Sequence, residues 1–397
     1  MPELVALVQS LVDGHTAEGE ERELLALLEA ASPEELNDAL TGGVARPLMT
    51  SVDNRVFGPD LRSELIDLLA RRRRADLSIE AQAALIHAMQ EGHTTAEMER
   101  AILDLFLALR GDELTALKNQ VNQRTDHHDL EGLVFVDIDD DEVRTRLVEH
   151  FQSQAGAATV REAKVLSDID DTAFSRIHET RYPKGTLIPG VLALYEALDQ
   201  GPDDAPRSTG DLTFVTARPM DALGLIENHT RDSLRKAGIG TSSVLSGGFL
   251  SLHAKDAMAG KKLQNIEHYN AIYPEYDLVF IGDSGQGDVL VGERMYEAHG
   301  RVVKAVFIHD VVATPPEERA RHTEGGIHFV DTYVGAGVIA RRLGLISAAG
   351  LERIVAESRS GFDQVPWDSP EQEAAMRELL DRDVALAEGQ PVSPKSR

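Results

Sequence analysis

The pattern of apolar and polar positions divides the chain into two regions. Residues 1 to about 155 carry a helical pattern throughout. From about residue 160, short apolar runs alternate with helical patterns, which indicates a parallel α/β sheet. We therefore predict an all-α region followed by an α/β domain.

The helical region contains an internal repeat. The tripeptide Gly-His-Thr occurs at 14–16 and at 92–94, and the residues after it continue to match at the same offset of 78. A self-match of this length predicts two copies of one helical unit, at about 4–70 and 82–152. The copies contain no recognisable chemistry, so we expect a docking, scaffold or regulatory role with an unidentified protein partner.

Six apolar runs in the second region have the length of buried strands, and helical patterns lie between them. The predicted strands are 164–167, 212–216, 243–245, 278–281, 302–308 and 327–330. The predicted helices are 191–199, 221–236, 261–272 and 289–298, followed by others near 331–346, 350–357 and 371–387. These patterns predict an all-α domain at 1–157, an α/β domain at 158–346, and a C-terminal helical extension with a disordered tail at 347–397.

Composition narrows the classes of function. The 397 residues include 40 basic and 67 acidic ones, for a formal net charge of −27. Such a surface repels nucleic acid at long range, so we expect no nucleic-acid partner. The sequence contains no cysteine, which excludes disulfides and thiolate metal ligands. No apolar run is long enough to span a bilayer and no signal peptide is visible, so we expect a cytoplasmic protein.

A carboxylate-rich turn follows the first predicted strand. The sequence Ser-Asp-Ile-Asp-Asp-Thr at 167–172 brings Asp168 and Asp170 to the carboxyl edge of the sheet. Ligands bind at this edge of parallel sheets. One of the two carboxylates could attack a substrate while the other transfers a proton, provided that a cation keeps the attacking group ionised.

A similar run, Val-Asp-Ile-Asp-Asp-Asp, occurs at 136–141 in the helical region. It lacks the threonine, and a helical pattern follows it directly. Acidic residues before a helix cap its first turn and complement its dipole. We therefore interpret this second run as a helix start rather than as a site.

Three further motifs follow the first acidic turn, each at a predicted strand end or helix start. They are Thr-Ala-Arg-Pro at 216–219, the pair Lys261-Lys262, and Gly-Asp-Ser-Gly-Gln-Gly-Asp at 282–288. Each motif alone has an ordinary explanation as a helix cap, a surface charge or a loop. Together and in this order they supply the parts of a phosphoryl-transfer site: an attacking carboxylate, a proton donor, a hydroxyl, a lysine and oxygen ligands for Mg²⁺.

The four motifs resemble those of the haloacid dehalogenase superfamily of phosphatases. The Gly-Asp-Ser-Gly-Gln element, and Tyr273-Pro274 shortly after Lys262, are similar to the catalytic domain of the actin-patch-associated phosphatidate phosphatases. The resemblance covers about residues 160–330 and implies a Rossmann-like, HAD-like parallel sheet.

The resemblance also implies roles by position. Asp168 would be the nucleophile that forms an aspartyl-phosphate, and Asp170 the general acid and base, with its carbonyl oxygen on the metal. Thr216 and Lys262 would hold the phosphoryl group. The implied Mg²⁺ site consists of Asp168, Asp170, Asp283 and Asp288.

Four other residues are candidates for substrate binding: Thr172, Lys184, Arg218 and Lys261. Lys261 is also the alternative to Lys262 as the phosphoryl-binding lysine, although the spacing to Pro274 favours Lys262. His309 follows the fifth predicted strand, and we expect it to be a structural, hydrogen-bonding histidine.

We therefore expect a Mg²⁺-dependent phosphomonoester phosphatase. The segment 173–190 has room for a flap but not for a cap domain, which favours a large substrate such as phosphatidate or a phosphoprotein. Its basic residues, which include Arg176, Arg181 and Lys184, could hold the rest of the anion. Two features depart from the phosphatidate phosphatases: these tend to have Ser-x-Ser-Pro-Trp where this chain has Thr-Ala-Arg-Pro, and the chain has no basic amphipathic membrane helix. The alternatives are a catalytically inert scaffold protein that uses its helical repeats, and a phosphotransferase on the same fold.

Overall fold

The structure is a computed structural model that describes residues 2–12, 16–52, 60–91, 93–122, 129–159, 162–207, 212–219, 243–247 and 255–389. The chain forms two compact units. The first unit contains Met1–Val160 and His268–Glu275, and the second contains Arg161–Glu267 and Tyr276–Arg397.

The first unit is helical, as predicted. Ser32, Ser78 and Thr95 each cap a helix by accepting a hydrogen bond from the amide three residues further on. Fully buried leucine, isoleucine and phenylalanine side chains fill the space between the helices. The α-helices are α1 Pro2–Val12, α2 Glu18–Ala30, α3 Pro33–Ala39, α4 Ala45–Ser51, α5 Leu61–Asp67, α6 Ile79–Gln90, α7 Ala96–Leu107, α8 Gly111–Asn122, α9 Leu130–Gly132 and α10 Asp141–Gln154.

Helices in the two predicted repeats begin at corresponding positions. Helices α2 and α7 begin at Glu18 and Ala96, and α3 and α8 begin at Pro33 and Gly111, so both pairs keep the offset of 78 residues. This agreement supports the repeat, which stays a prediction.

The acidic run at 136–141 leads into a helix, as predicted. Asp140 is the N-cap of α10, and its carboxylate accepts hydrogen bonds from the amides of Glu142 and Val143. The interpretation of this run as a helix start is therefore confirmed.

The second unit is built on a parallel sheet of six strands. The strands are β1 Ala163–Ser167, β2 Leu212–Pro219, β3 Ser243–Gly247, β4 Asp277–Asp283, β5 Val303–His309 and β6 Ile327–Val330, in the order β3-β2-β1-β4-β5-β6. Every residue of β1 and β4 is buried, which explains why these strands are apolar without alternation. The predicted parallel α/β fold is confirmed, and each predicted strand overlaps an observed one.

Helices surround this sheet. They are α11 Val191–Gln200, α12 Lys255–Ile272 (whose last turn belongs to the first unit), α13 Asp288–His299, α14 Pro316–Glu324, α15 Tyr333–Arg342, α16 Ala348–Asp363 and α17 Pro370–Ala387. Buried residues of α11, α15, α16 and α17 share one hydrophobic core with Val165, Val279 and Phe307 of the strands. The C-terminal helices therefore pack within the same core as the sheet.

One described helix of the α/β unit has no counterpart in the sequence-based prediction. Helix α14 was not predicted, because its sequence Pro-Glu-Glu-Arg-Ala-Arg-His-Thr-Glu has no apolar stripe and none of its residues is buried. The predicted helix at 221–236 lies outside the described residues. Within the described part of the chain, no helix combines the length and apolar character needed to cross a membrane.

The strand order creates a crevice at the carboxyl edge of the sheet. From β1 the chain continues to β2 and β3 on one side, and then crosses over to β4, β5 and β6 on the other. Loops that leave strands at such a reversal point diverge and leave space for a ligand. Ser167 at the end of β1 lies opposite Ile281 of β4, so the motifs after these two strands start at neighbouring points.

Candidate active site

Asp168 leaves the sheet directly after β1. Its backbone amide still donates to the carbonyl of Ile281, at 2.9 Å, so the sheet fixes its position. Its side chain is buried, with 3% of the residue exposed. One carboxylate oxygen, Oδ1, lies 2.7 Å from the ammonium of Lys262. The other, Oδ2, is buried and has no hydrogen-bond partner within the described residues.

Lys262 joins two of the motifs. Its Nζ lies 2.7 Å from Asp168 and 2.6 Å from Oδ1 of Asp288, and the side chain is buried. Burial alone would lower the pKa of Lys262, but the carboxylates of Asp168 and Asp288 raise it above its ordinary value. Lys262 is therefore held as a cation between these two carboxylates. The Lys261 side chain lies outside the described residues, so the choice between the two lysines stays a prediction.

The carboxylates repel one another in this buried site. The pKa of Asp168 is raised to about 7, mainly by burial. The charges of Asp288 and Asp170 also raise this pKa, whereas Lys262 lowers it. Burial and the same kind of repulsion, from Asp288 and Asp168, raise the pKa of Asp283 well above its ordinary value. Lys262 offsets only part of this negative charge, and a bound cation would relieve the rest.

Three carboxylates have the arrangement of a metal site. Asp168, Asp283 and Asp288 are all buried, and each offers one oxygen such that these atoms lie within 4.8 Å of one another. A set made only of oxygen atoms suits a hard cation such as Mg²⁺. The unpaired Oδ2 of Asp168 supplies a second observation, because a buried carboxylate oxygen without a donor is costly. These residues therefore fit a divalent cation.

The loop after β4 holds Asp283 in place. The amides of Gly285 and Gln286 donate to its Oδ1, at 2.7 and 3.1 Å, and the Gln286 side chain donates to its Oδ2 at 3.1 Å. Asp288 accepts a hydrogen bond from the Asp283 amide at 3.1 Å. Gly282 is required here, because a Cβ at this position would lie 2.5 Å from the Asp288 side chain.

Gln286 also connects this loop to the turn after β1. Its side-chain amide donates to the carbonyl oxygen of Asp170, at 3.3 Å. The resemblance had implied that this carbonyl oxygen binds the metal. In the structure this oxygen accepts the hydrogen bond from Gln286 instead. Its role as a metal ligand therefore stays a prediction.

Asp171 shapes the turn between the two motif carboxylates and the flap, which we define as residues 173–190. Its φ of 62° lies in the left-handed region, which is uncommon for a residue other than glycine. Its buried carboxylate accepts hydrogen bonds from three successive amides of the flap, at 2.6–2.8 Å. These bonds offset the strain of the backbone.

His309 supports the same turn from β5. Its Nδ1 donates to the carbonyl oxygen of Asp171 at 2.8 Å, and its Nε2 lies 2.8 Å from the Arg181 guanidinium. Since a guanidinium only donates, Nε2 accepts and the proton is on Nδ1. Burial and the charge of Arg181 lower the pKa of His309, so the ring is neutral. Arg181 in turn pairs with the buried carboxylate of Glu179. His309 is thus a hydrogen-bonding residue, as predicted.

Part of the chain is similar to a known protein family. Residues 163–310 match the family model described as the catalytic domain of phosphatidate phosphatase APP1. This part of the chain is similar to a phosphatase catalytic domain. The match confirms the resemblance drawn from the motifs, and the matched family is one of phosphoric monoester hydrolases. Comparisons with curated proteins and with solved structures found no match.

The structure of this phosphatase-like domain brings together five of the sequence-predicted site residues: Asp168, Asp170, Lys262, Asp283 and Asp288. Thr172 adjoins them but is completely buried, and its hydroxyl has no partner among the described residues. Lys184 is exposed in a turn of the flap. The side chains of Thr216, Arg218 and Lys261 lie outside the described residues, so their roles stay predictions.

Sequence reasoning missed several residues that hold the site. Gln286 belongs to a motif that was recognised, and its position beside Asp283 could have suggested a role. Asp171 is the third carboxylate of the acidic turn, but only its backbone conformation reveals its function. Glu179 carries no sequence signal, because its importance comes from contacts with Arg181 and the distant His309. Arg181 was expected among the anion-binding residues of the flap, whereas the structure pairs it with Glu179 and His309.

Proposed function

We propose that the second unit is a Mg²⁺-dependent phosphomonoester phosphatase that works through an aspartyl-phosphate on Asp168. The observation that carries the proposal is the environment of this carboxylate. One of its oxygens is bound by Lys262, the other is buried without a hydrogen-bond donor among the described residues, and two further carboxylates lie beside it.

The proposed reaction has two steps. In the first, a carboxylate oxygen of Asp168 attacks phosphorus, the bond to the leaving alcohol breaks, and protonated Asp170 gives its proton to the departing oxygen. In the second, Asp170 takes a proton from water as that water attacks the aspartyl-phosphate, which releases phosphate and restores Asp168. Asp170 is thus acid and then base.

The buried charges support these steps. The Lys262 ammonium would stay protonated throughout and offset charge on the phosphoryl oxygens. Asp168, Asp283 and Asp288 would hold the cation, which when bound would neutralise charge on the phosphoryl group and keep Asp168 ionised. Lys262 and Gln286 would keep the carboxylates in position between turnovers.

We propose phosphatidate, or another large phosphomonoester, as the substrate. The matched family, described as phosphatidate phosphatase, supports this choice. The connection between Thr172 and α11 supports it too, because it is a short flap whose Ser175 pairs with Thr186 and Gly185 rather than a separate cap domain. A shallow cover leaves room for a substrate with a bulky leaving group. The cytoplasmic location and a protein partner for the helical unit remain proposals beside this one.

Phosphate release from a panel of substrates tests the proposal. The panel contains short-chain phosphatidate, a phosphoinositide, a nucleotide, a sugar phosphate and phenyl phosphate, each with Mg²⁺ and with EDTA. We expect release that is lost in EDTA and restored by Mg²⁺, with phosphatidate among the preferred substrates. No release from any substrate, or release that EDTA does not change, would contradict the proposal.

A further inference from the structure

The flap contains two arginines in different situations. Arg181 is fully engaged: its guanidinium contacts both carboxylate oxygens of Glu179 at 2.5–3.1 Å and also His309. Arg176 has one ion-pair partner in the described part of the chain, and its Nε lies 3.5 Å from Oδ1 of Asp170. A charge-assisted hydrogen bond is shorter, about 2.7–2.9 Å. Most of the five N–H donors of Arg176 are therefore available to a ligand.

The position of Arg176 is nevertheless fixed. Asp171 binds the amides of Arg176, Ile177 and His178, so the backbone that carries the guanidinium cannot shift freely. The guanidinium also lies 5.4 Å from the centre of the Phe174 ring, within the range of a cation–π contact. An arginine held in this way loses little conformational entropy when it binds a ligand.

The flap has further anchors on both sides of Arg176. The His178 ring lies against Gly285, where a Cβ would come within 2.6 Å of it. Tyr182 stacks on Trp367, with ring centres 5.5 Å apart, and the side chain of Gln372 donates to the Thr180 carbonyl at 3.1 Å. Trp367 is the one tryptophan of the sequence, so its fluorescence reports on this contact.

The neighbour of Arg176 indicates which part of a substrate it meets. Asp170 is the residue proposed to protonate the leaving oxygen, so a group beside its carboxylate lies on the leaving-group side of the phosphoryl group. Among the described side chains, the Lys262 ammonium contacts Asp168 and Asp288, and no contact joins it to Asp170. A polar or anionic leaving group would therefore need a further cation on this side.

We propose that Arg176 is a substrate-binding residue that selects leaving groups with an oxygen acceptor next to the scissile ester, such as the ester carbonyl of a diacylglycerol. Asp171 is the positioning residue that holds the flap so that Arg176 faces Asp170. This inference rests on the proposed phosphatase function and adds a specificity determinant to it.

The substitution Arg176→Met tests substrate binding, because it keeps the length of the side chain and removes its donors. Short-chain phosphatidate, which has ester carbonyls near the phosphate, is compared with phenyl phosphate, which has no such acceptor. We expect kcat/KM to fall at least about tenfold more for phosphatidate than for phenyl phosphate, mainly through KM, because the lost contact is with the leaving group. Equal losses for the two substrates, or no loss, would overturn the inference.

Arg342→Met is the matched control. Arg342 is exposed on the surface of the same unit, so its removal causes the same change in net charge. In Arg342→Met, the ratio of kcat/KM for phosphatidate to kcat/KM for phenyl phosphate should stay at the wild-type value. A change in this ratio equal to that of Arg176→Met would show that net charge, rather than the position of Arg176, sets the preference, and would also overturn the inference.

The substitution Asp171→Asn tests the positioning role. It removes the negative charge of the carboxylate that accepts hydrogen bonds from three flap amides. We therefore expect a selective loss of phosphatidate turnover, although Arg176 is intact. We also expect a change in Trp367 fluorescence. Arg176→Met should leave that fluorescence unchanged. Wild-type selectivity and fluorescence in Asp171→Asn would show that the Asp171 carboxylate has no positioning role. If this variant does not fold, Asp171→Gly removes the carboxylate while suiting the left-handed backbone.

Failure of this inference can be told apart from failure of the proposed function. Turnover of phenyl phosphate by the wild-type protein, and its loss in Asp168→Asn, report on the phosphatase alone. The ratio of kcat/KM for phosphatidate to kcat/KM for phenyl phosphate in the Arg176 and Asp171 variants reports on the flap.

Discussion

Two acidic runs in this chain share the sequence Asp-Ile-Asp-Asp, at 137–140 and at 168–171, but their surroundings differ. In the helical unit, Asp139 is exposed and Asp140 caps α10, while the amides of both residues donate to the carboxylate of Glu99 at 3.1 Å. In the α/β unit, all four residues are buried. There, the carboxylate of Asp168 contacts Lys262 instead of solvent.

Partners from distant segments of the chain therefore decide what an acidic run does. At the helix start, backbone amides bind the Asp140 carboxylate and Asp139 is exposed to solvent, so these charges cost little. Burying several carboxylates together is expensive unless a cation and hydrogen-bond donors compensate. A fold that keeps such a cluster, with one carboxylate oxygen that has no partner in the described part of the chain, has the features of a site rather than of a stabilising element.

The largest expected effect distinguishes the two runs directly. Asp168→Asn should lower kcat/KM by about 10⁴-fold or more, because an amide cannot replace the attacking carboxylate. Asp137→Asn, the equivalent change in the helical unit, should leave kcat/KM unchanged. Phosphate release and circular dichroism on both variants measure activity and folding. Comparable losses in the two variants would remove the distinction between the runs.

Lys262 should give the next largest effect. Lys262→Met removes the ammonium that contacts Asp168 and Asp288, so we expect kcat/KM to fall by about 10²–10³-fold. Lys304→Met is the control, because Lys304 is partly exposed and pairs with Asp277 on the sheet. Steady-state kinetics with Mg²⁺ measure both. Activity of Lys262→Met within twofold of the wild type would show that the phosphoryl group does not depend on this lysine.

Metal binding should stabilise the protein through the carboxylates of Asp168, Asp283 and Asp288, and not through those of the helical unit. A ligand present at 100 times its dissociation constant adds about 2.7 kcal/mol to the free energy of unfolding. We expect Mg²⁺ to raise the Tm of the wild-type protein and of Asp139→Asn, and to have no such effect on Asp283→Asn. Differential scanning calorimetry with Mg²⁺ and with EDTA measures this. An unchanged shift in Asp283→Asn would place the metal elsewhere.

The smallest expected effect is on the pH dependence of stability without metal. The pKa of Asp168 is raised from 3.8 to about 7 in the folded protein. Between these values the folded state retains a proton that the unfolded chain has released, so stability should fall as the pH rises through this window. Urea unfolding in EDTA at about pH 5 and about pH 7.5 measures the difference. Asp168→Asn should reduce it, and an equal difference in the variant would be evidence against a buried, proton-binding Asp168.

Much of the fold could be predicted from the sequence, because buried parallel strands are continuous apolar runs and the motifs mark their ends. Helix α14 could not be predicted, since an exposed helix without buried residues leaves no apolar periodicity. For the site, strand ends and a lysine on a following helix identify Asp168, Asp283 and Lys262. The roles of Asp171 and Arg181 could not be predicted, because they depend on a left-handed backbone and on a contact with β5.

The central claim is that Asp168 carries the phosphoryl group during turnover. Acid quenching of the reaction in the steady state, followed by borohydride reduction and peptide mass spectrometry, tests it most directly, because reduction converts an aspartyl-phosphate into homoserine. We expect homoserine at position 168, and none at Asp137 or in protein quenched without substrate. Active turnover without modification at Asp168, or with modification of another residue instead, would contradict it.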